Sequence, residues 1–411
     1  MGNILMVGSG GGATKGAVFK TILKCGHKIT LIDKGNSPFN RLVDYLIFSD
    51  PFNTDNFQTV FEKVKEVDKI DKISAILPMS DLTVELASLL NEKLGLKGLN
   101  SQISLITRNK ARLREKMSKF NLNIPRFFEG DKHSLALAKK FGQEIGYPLV
   151  IKPVDSAGSM GVYRCENEQE LEFFFGTIFK SVNTNHIIVE EFIEGPEISV
   201  ETISQNGNII FMSLTEKVKM DDVNFVEAGH ITPCDIAVEQ VEVVRNEVKR
   251  LLNIVGLRDG ISHTELKLTS NGPYIIEMGS RAAGAYLPDL IELAYGVNPF
   301  ELWIQSLTSQ ETIEIKYWEK QYASVHFFYP SKGEIESIPT PNHLDTATLE
   351  SIVDFGSYCK VGDTFDREIT SNFDRIGHII VTAPTKEDLL CRITSTSDKL
   401  SPRFFKKEVQ V

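Results

Sequence analysis

Over the first hundred residues, short apolar runs alternate with stretches of helical spacing. Residues 3–8 read as a buried strand, residues 14–25 carry apolar positions at helical intervals, and His27 to Asp33 form a second strand ending in an acid. Ala75-Ile-Leu-Pro78 followed by the helical pattern of 82–94 repeats this unit, which predicts a parallel α/β layer ending near residue 100. The next segment, 107–120, is helical and basic, with Lys110, Arg112, Arg114 and Lys116; a run of charge of this kind ordinarily reads as a solvated face. From Pro125 to Glu190 the elements shorten to a helix near 134–145, a strand over 147–153, a glycine-rich loop and a helix near 168–180. Strands at 187–193 and 197–201 open the region richest in β pattern, and helices at 287–295 and 299–308 close it. The last hundred residues carry short strands at 323–329 and 378–382, Gly-Asp turns and a terminal helix, and no internal repeat is evident.

The most informative chemistry lies on a predicted hairpin. His-Thr-Glu265-Leu-Lys-Leu alternates, Thr-Ser-Asn-Gly272 is turn chemistry, and Pro-Tyr-Ile-Ile-Glu277-Met reads as the returning strand. A two-residue turn on Asn271 and Gly272 would set Glu265 opposite Met278 and send Glu277 through the other face. A three-residue loop, Ser270 to Gly272, with Gly272 left-handed, makes the two glutamates cross-strand partners. Like charges facing each other on a ladder are unfavourable unless neutralised, and a hard divalent cation shared with phosphate oxygens neutralises them. Lys267, two residues along the same face, supports the alternative of an ordinary solvated hairpin. Gly279, Ser280 and Arg281 follow at once.

Composition narrows the class. With 411 residues, 42% hydrophobic and 24% charged, the chain can build two or three domains around sizeable cores. No apolar run approaches the ~20 residues needed to span a bilayer, and the N-terminus reads as a strand rather than a signal peptide, so a cytoplasmic protein without a membrane role is expected. Five scattered cysteines without a Cys-x-x-Cys pair argue against a zinc knuckle or a disulfide framework. A net charge of −10 argues against nonspecific nucleic-acid binding and favours a small-molecule substrate.

Two glycine-rich loops compete for a phosphate. Gly8-Ser9-Gly10-Gly-Gly-Ala13 satisfies G-x-G-x-x-A, with Asp33 where a ribose-binding acid would sit, so an NAD-binding oxidoreductase is one reading; a tight turn or another anion at the helix N-terminus is the other. In Ile151-Lys152-Pro153-Val-Asp155-Ser156-Ala-Gly158-Ser159-Met-Gly161, a strand-ending lysine precedes a loop whose N–H groups can fold around phosphates; it is not a Walker A loop. The segment Glu190 to Glu197 passes from an apolar strand into Gly-Pro. It can present backbone groups to an adenine, and a following acid can accept from ribose hydroxyls.

Lys110, Ile-Lys152-Pro, Ser-Ala-Gly-Ser-Met-Gly161, Glu190-Glu-Phe-Ile-Glu-Gly-Pro-Glu197, Glu265 and Glu277-Met-Gly-Ser-Arg281, in this order, resemble the ATP-grasp superfamily over nearly the whole chain. The resemblance implies α/β and α+β domains: a Rossmann-like domain over 1–105, usually not a dinucleotide binder, a small lobe with a mobile lid over 106–190, a large lobe with the metal site over 191–310, and a β-rich carboxylase-like subdomain over 311–411. It places Lys110, Lys152 and the loop of Ser156, Gly158, Ser159 and Gly161 on ATP phosphates. Glu190 and the backbone near Phe192 and Ile193 go to the adenine, and Glu197 to the ribose. Glu265 and Glu277 hold magnesium, two ions by family habit, with manganese as a substitute. Arg281 faces the transferred phosphoryl group, and the Gly284 backbone the oxyanion.

The run Glu277 to Gly296 and the tail Phe327 to Ile335 are similar to L-amino-acid ligases of the bacilysin-synthetase and dapdiamide-synthetase kind. That similarity implies an ATP-dependent carboxylate-amine ligase working through an acyl phosphate, with His230 beside the substrate; a histidine satisfied by hydrogen bonds between strands is the other reading. His263 lies two residues before Glu265 on the same face and, because magnesium prefers oxygen, reads as a partner of Glu265 rather than a metal ligand. Small-molecule carboxylates and amines are the implied partners, and a homodimer the implied assembly. Purine-biosynthetic and biotin-carboxylase-like enzymes share the activation step, and a noncatalytic nucleotide-binding regulator shares the site. Two departures stand out: Gly279 replaces the Asn that many members use as a third metal ligand, and Arg281-Ala-Ala-Gly284-Ala-Tyr replaces Arg-x-Gly-Gly.

Overall fold

The computed structural model describes residues 2–9, 13–35, 37–220 and 225–405. Strands Tyr45–Phe48, Lys28–Asp33, Asn3–Val7 and Ile73–Pro78 lie side by side in that order and run parallel. Asn3–Val7 is buried at every position, as a strand covered on both faces must be. Strand order reverses between Asn3–Val7 and Ile73–Pro78, so a crevice opens past Val7 and Pro78, where ligands of such sheets sit.

A second, antiparallel sheet orders Phe127–Asp131, His186–Glu191, Leu149–Pro153 and Tyr163–Cys165, with helices Leu135–Ile145 and Glu168–Ser181 packed on it. The third sheet is the largest. Its eight strands run Gly272–Gly279, Gly260–Thr269, Glu197–Gln205, Asn208–Lys219, Glu227–Thr232, Tyr322–Phe328, Gly377–Ala383 and Ile352–Ser357. Tyr322–Phe328, in the region 311–411 that the resemblance sets apart, pairs directly with Glu227–Thr232, so the large sheet draws strands from both sides of that expected boundary.

One core cluster joins Ile4, Met6 and Phe19 of the first unit to Phe211, Leu290, Trp303 and Phe327 of the third, which holds the crevice against the large sheet. Among the described residues no helix is long and apolar enough to cross a membrane.

Two local expectations change. The basic segment is two helices, Ser101–Arg108 and Lys110–Ser118, broken at Asn109, whose extended backbone and side chain cap the second helix by accepting from the Arg112 N–H. In the hairpin, Glu265 does face Glu277, but by another route than a three-residue loop. Thr269 pairs with Gly272, so Ser270 and Asn271 alone form the loop, and the extra residue is a bulge at Ile276. Gly272 is left-handed, with φ of 98°. The Ile276 carbonyl, released from the ladder, accepts from Arg114 at 2.7 Å.

Candidate active site

The helix Lys110–Ser118 buries Lys110, Ala111, Leu113, Arg114 and Met117, one face at helical spacing, and leaves Arg112 outside. It is thus not the solvated face that its charge suggests. Arg114 Nε binds Glu190 Oε1 at 2.6 Å and Lys152 Nζ binds Glu190 Oε2 at 2.6 Å. Burial disfavours the Glu190 carboxylate, but Arg114 and Lys152 overcome it and hold the group below the usual carboxylate range. Glu190, which the family pattern sends to the adenine, spends both oxygens on these cations. Lys110 donates to the Ser156 carbonyl at 2.8 Å and lies 3.1 Å from Glu277 Oε1. Two lysines therefore flank the glycine-rich loop, in which Gly158, Ser159 and Gly161 all have positive φ and Ser159 Oγ donates to Phe225 O at 2.8 Å. Phe192 lies under Arg164, and its N–H donates to Pro148 O at 3.3 Å, so that group is already taken; Ile193 lines the same cleft.

Lys217 is the central cation that sequence reading missed. Its ammonium lies 2.7 Å from Glu197, 3.0 Å from Glu265 and 3.2 Å from Glu227. Burial opposes its charge, but the three carboxylates hold it well above the usual lysine range, while Lys217 and His263 hold Glu265 far below a normal glutamate. His263 bridges Glu201 at 2.8 Å and Glu265 at 3.2 Å. Burial pushes Lys267 down to about 8 even with Glu197 beside it, at 3.6 Å. A local signal existed: Lys217 and Lys219 share a face at the end of a strand whose neighbour begins at Glu227.

Beyond this cluster lies a cavity of about 900 Å³ whose wall includes Asp81, His230, Arg281, Gly284, Tyr286 and Arg375. Arg281 pairs with Asp81, donates to Ala282 O at 2.7 Å, and leaves a buried Nε without a hydrogen-bond partner. Asp81 sits at the switch point of the first sheet. Burial alone would raise its carboxyl, and the Arg281 guanidinium keeps it low. His230 is buried with neither ring nitrogen hydrogen-bonded; Nε2 is 3.3 Å from Glu227, poorly aligned. A Cβ on Gly284 would meet nothing within 4 Å, so this position opens to the cavity rather than to packing. Ala285 and Tyr286 both have positive φ, a strain held by Tyr286 stacking on His378 and bonding Tyr358 at 2.9 Å.

In the N-terminal loop, Gly10 to Gly12 lie outside the described residues. Asp33 ties the start of that loop to its own turn: Oδ2 accepts from Ser9 N and Oγ at 3.0 and 2.7 Å, and Oδ1 from Gly35 N at 3.3 Å.

Glu265 and Glu277 present hard oxygen donors to one cleft, and Glu277 is one-third exposed, so they suit a magnesium ion that takes its remaining ligands from phosphate and water. Among the described residues no group of three or more His, Cys, Asp or Glu is arranged to hold a metal by itself. A side chain at Gly279 would point toward Asp81, 3.5 Å from Oδ1.

Residues 145–289 match the ATP-grasp domain family. The chain carries an ATP-grasp domain. It is 26% identical to dapdiamide A synthase of Enterobacter agglomerans over 71% of this chain and 71% of that protein. It is also 26% identical to alanine–anticapsin ligase of Bacillus subtilis strain 168, over 61% of this chain and 57% of the relative's length. The fold superposes on an L-amino acid ligase from Bacillus licheniformis with a TM-score of 0.81, covering 99% of both chains at 21% identity. The ATP-grasp domain contains Lys152, the glycine-rich loop, Glu190, Glu197, Lys217, Glu227, His230, Glu265, Glu277, Arg281 and Gly284. Lys110, Asp81 and Arg375 reach its site from outside the matched span.

Proposed function

We propose that this protein is an ATP-dependent carboxylate-amine ligase that joins an amino acid to a second substrate and releases ADP and phosphate. The observation that carries the reading is the juxtaposition of two facing carboxylates, Glu265 and Glu277, with Lys110 and Lys152 on one side and Arg281 at a large cavity on the other. A carboxylate is a poor electrophile because its leaving group is oxide; phosphorylation makes that group phosphate. Lys110, Lys152 and the loop N–H groups bind ATP phosphates, and Glu190 with Arg114 fixes where Lys152 can reach. Glu197 remains the proposed ribose acceptor. Glu265 and Glu277 would hold magnesium, or manganese in its place, which would supply charge neutralisation for the transfer.

The substrate carboxylate oxygen attacks the γ-phosphorus, ADP leaves, and Arg281, with a spare Nε–H, takes up charge on the transferred group. The amine nitrogen then attacks the acyl carbon, the Gly284 N–H and Arg281 receive the oxyanion, and phosphate departs as the amide forms. Burial disfavours the Glu227 carboxylate, but Lys217 and Arg375 hold it well below the usual carboxylate range, so the amine proton goes to His230 on the same cavity wall.

A phosphate-release screen of amino acids, alone and in pairs, with ATP and magnesium tests the reading. Turnover that requires two amino acids is the expected result. Silence over the whole panel while an unrelated acid responds would overturn the amino-acid assignment.

A further inference from the structure

The C-terminal region sends one short turn into the site, and it touches both halves of the proposed reaction. Asn372 donates its N–H to the Gly158 carbonyl of the glycine-rich loop at 3.2 Å. The neighbouring Phe373 ring covers Gly158 so closely that a Cβ there would come within 2.7 Å of it. On the other side, Asn372 Oδ1 accepts the Glu227 N–H at 3.0 Å and Arg375 binds the Glu227 carboxylate at 2.7 Å. The Arg375 guanidinium is fixed over Phe327 at 3.6 Å and on Tyr329 Oη at 3.1 Å.

The turn is stiff before it touches anything. Asp374 accepts from the Thr370 and Ser371 N–H groups at 2.9 and 3.0 Å and is paired with Arg367 at 2.6 Å, and Ser371 completes a capping box. Phe373 itself is 71% exposed. It forgoes most of the gain an aromatic ring obtains by burial, so core packing does not explain its position; contact with the loop does.

We infer that residues 371–375 form a latch that holds the phosphate loop shut and ties its closure to the acceptor wall at Glu227. Phe373 and the Asn372 N–H are the loop arm, and Asn372 Oδ1 with Arg375 the acceptor arm. In the ligase reading, on which the acceptor arm rests, the latch protects the acyl phosphate. With the loop open, a water oxygen replaces the amine nitrogen at the acyl carbon, regenerating the acid and releasing phosphate without an amide. These are positioning residues, since they act through the loop and through Glu227.

The test uses the full chain with magnesium and a non-hydrolysable ATP analogue. Phe373→Ala should speed hydrogen exchange of the loop 155–161 in the nucleotide-bound protein by about threefold to tenfold, the range spanned by one modest contact, with an unchanged melting temperature. Phe373→Leu should recover part of the protection. Asn372→Ala, which cuts the tie to Glu227 but keeps the backbone bond to Gly158, should speed exchange of the loop less than Phe373→Ala does and raise phosphate released per amide formed above one. Wild-type exchange in Phe373→Ala would overturn the latch, and so would faster exchange spread evenly over 311–405 with a lower melting temperature. A ratio of one in Asn372→Ala would overturn the acceptor arm. If no substrate pair supports phosphate release in the wild type, the ligase reading falls, while the exchange experiment still decides the loop arm.

Discussion

Replacing Arg114 with Met removes a guanidinium that is fully buried and keeps most of its volume. The Glu190 carboxylate would then face Lys152 alone, and the Ile276 carbonyl at the hairpin bulge would lose its donor. Breaking a buried ion pair by deleting one partner costs about 3–5 kcal/mol, and the orphaned carbonyl adds about 1–3 kcal/mol. The adjacent residue supplies an internal control. Glu191 pairs with Arg126 at 2.9 Å, but these side chains are 30% and 57% exposed, respectively, so Arg126→Met should cost no more than about 1 kcal/mol. Urea unfolding of both variants measures the difference. A pH series adds a sign test, because Glu190 is held below its ordinary range. Its stabilisation is present above the unfolded value of roughly 4.3 and is lost as pH falls through the depressed native value, so the gap between wild type and Arg114→Met should close in acid. ATP affinity should fall as well, since Lys152 becomes the sole counter-ion of Glu190. Equal costs for the two arginine variants would refute the assignment of Arg114 as a buried clamp.

Glu277→Gln should leave the fold intact, since Glu277 is one-third exposed, yet lower ATP-dependent phosphate release by at least about 10²-fold; wild-type turnover would reject its role. Asp81→Asn removes the partner of Arg281, and because that pair keeps the Asp81 carboxyl low, its stability deficit should shrink as pH drops below about 4 in paired denaturation curves. Burial pushes the Cys165 and Cys234 thiols up to about 12, whereas Cys391 is exposed. Alkylation at pH about 8 followed by peptide mapping should therefore label Cys391 first. The raised thiols hold protons that the unfolded chain releases near pH about 8.5, so their contribution to stability is present below that pH and declines toward 12.

Much of what lines the candidate site was legible locally. Glu265 and Glu277, Lys152 and its glycine-rich loop, and the first α/β units all follow from periods and turn residues within a few positions of each other. The bulge at Ile276 was not, although the cross-strand partnership was, because a hairpin can place its extra residue in the loop or in the strand. Arg114, 162 residues away in the chain, bonds the carbonyl that the bulge releases. Nor does helical spacing say that a basic face is buried. Lys110 and Arg114 lie inside because Glu277 and Glu190 meet them there.

The amino-acid sequence by itself determined the local elements, the inventory of charged groups and the turn that brings two carboxylates close. Tertiary structure alone decided which charges neutralise one another: Lys217 among three glutamates from separate strands, Asp81 against Arg281 across 200 residues, and Arg375 on Glu227 across 148 residues. Hydrophobic periodicity acts over a few residues and leaves a local trace. Coulomb attraction between buried groups depends on distance in space, and nothing in the local pattern records which distant strand will supply the partner.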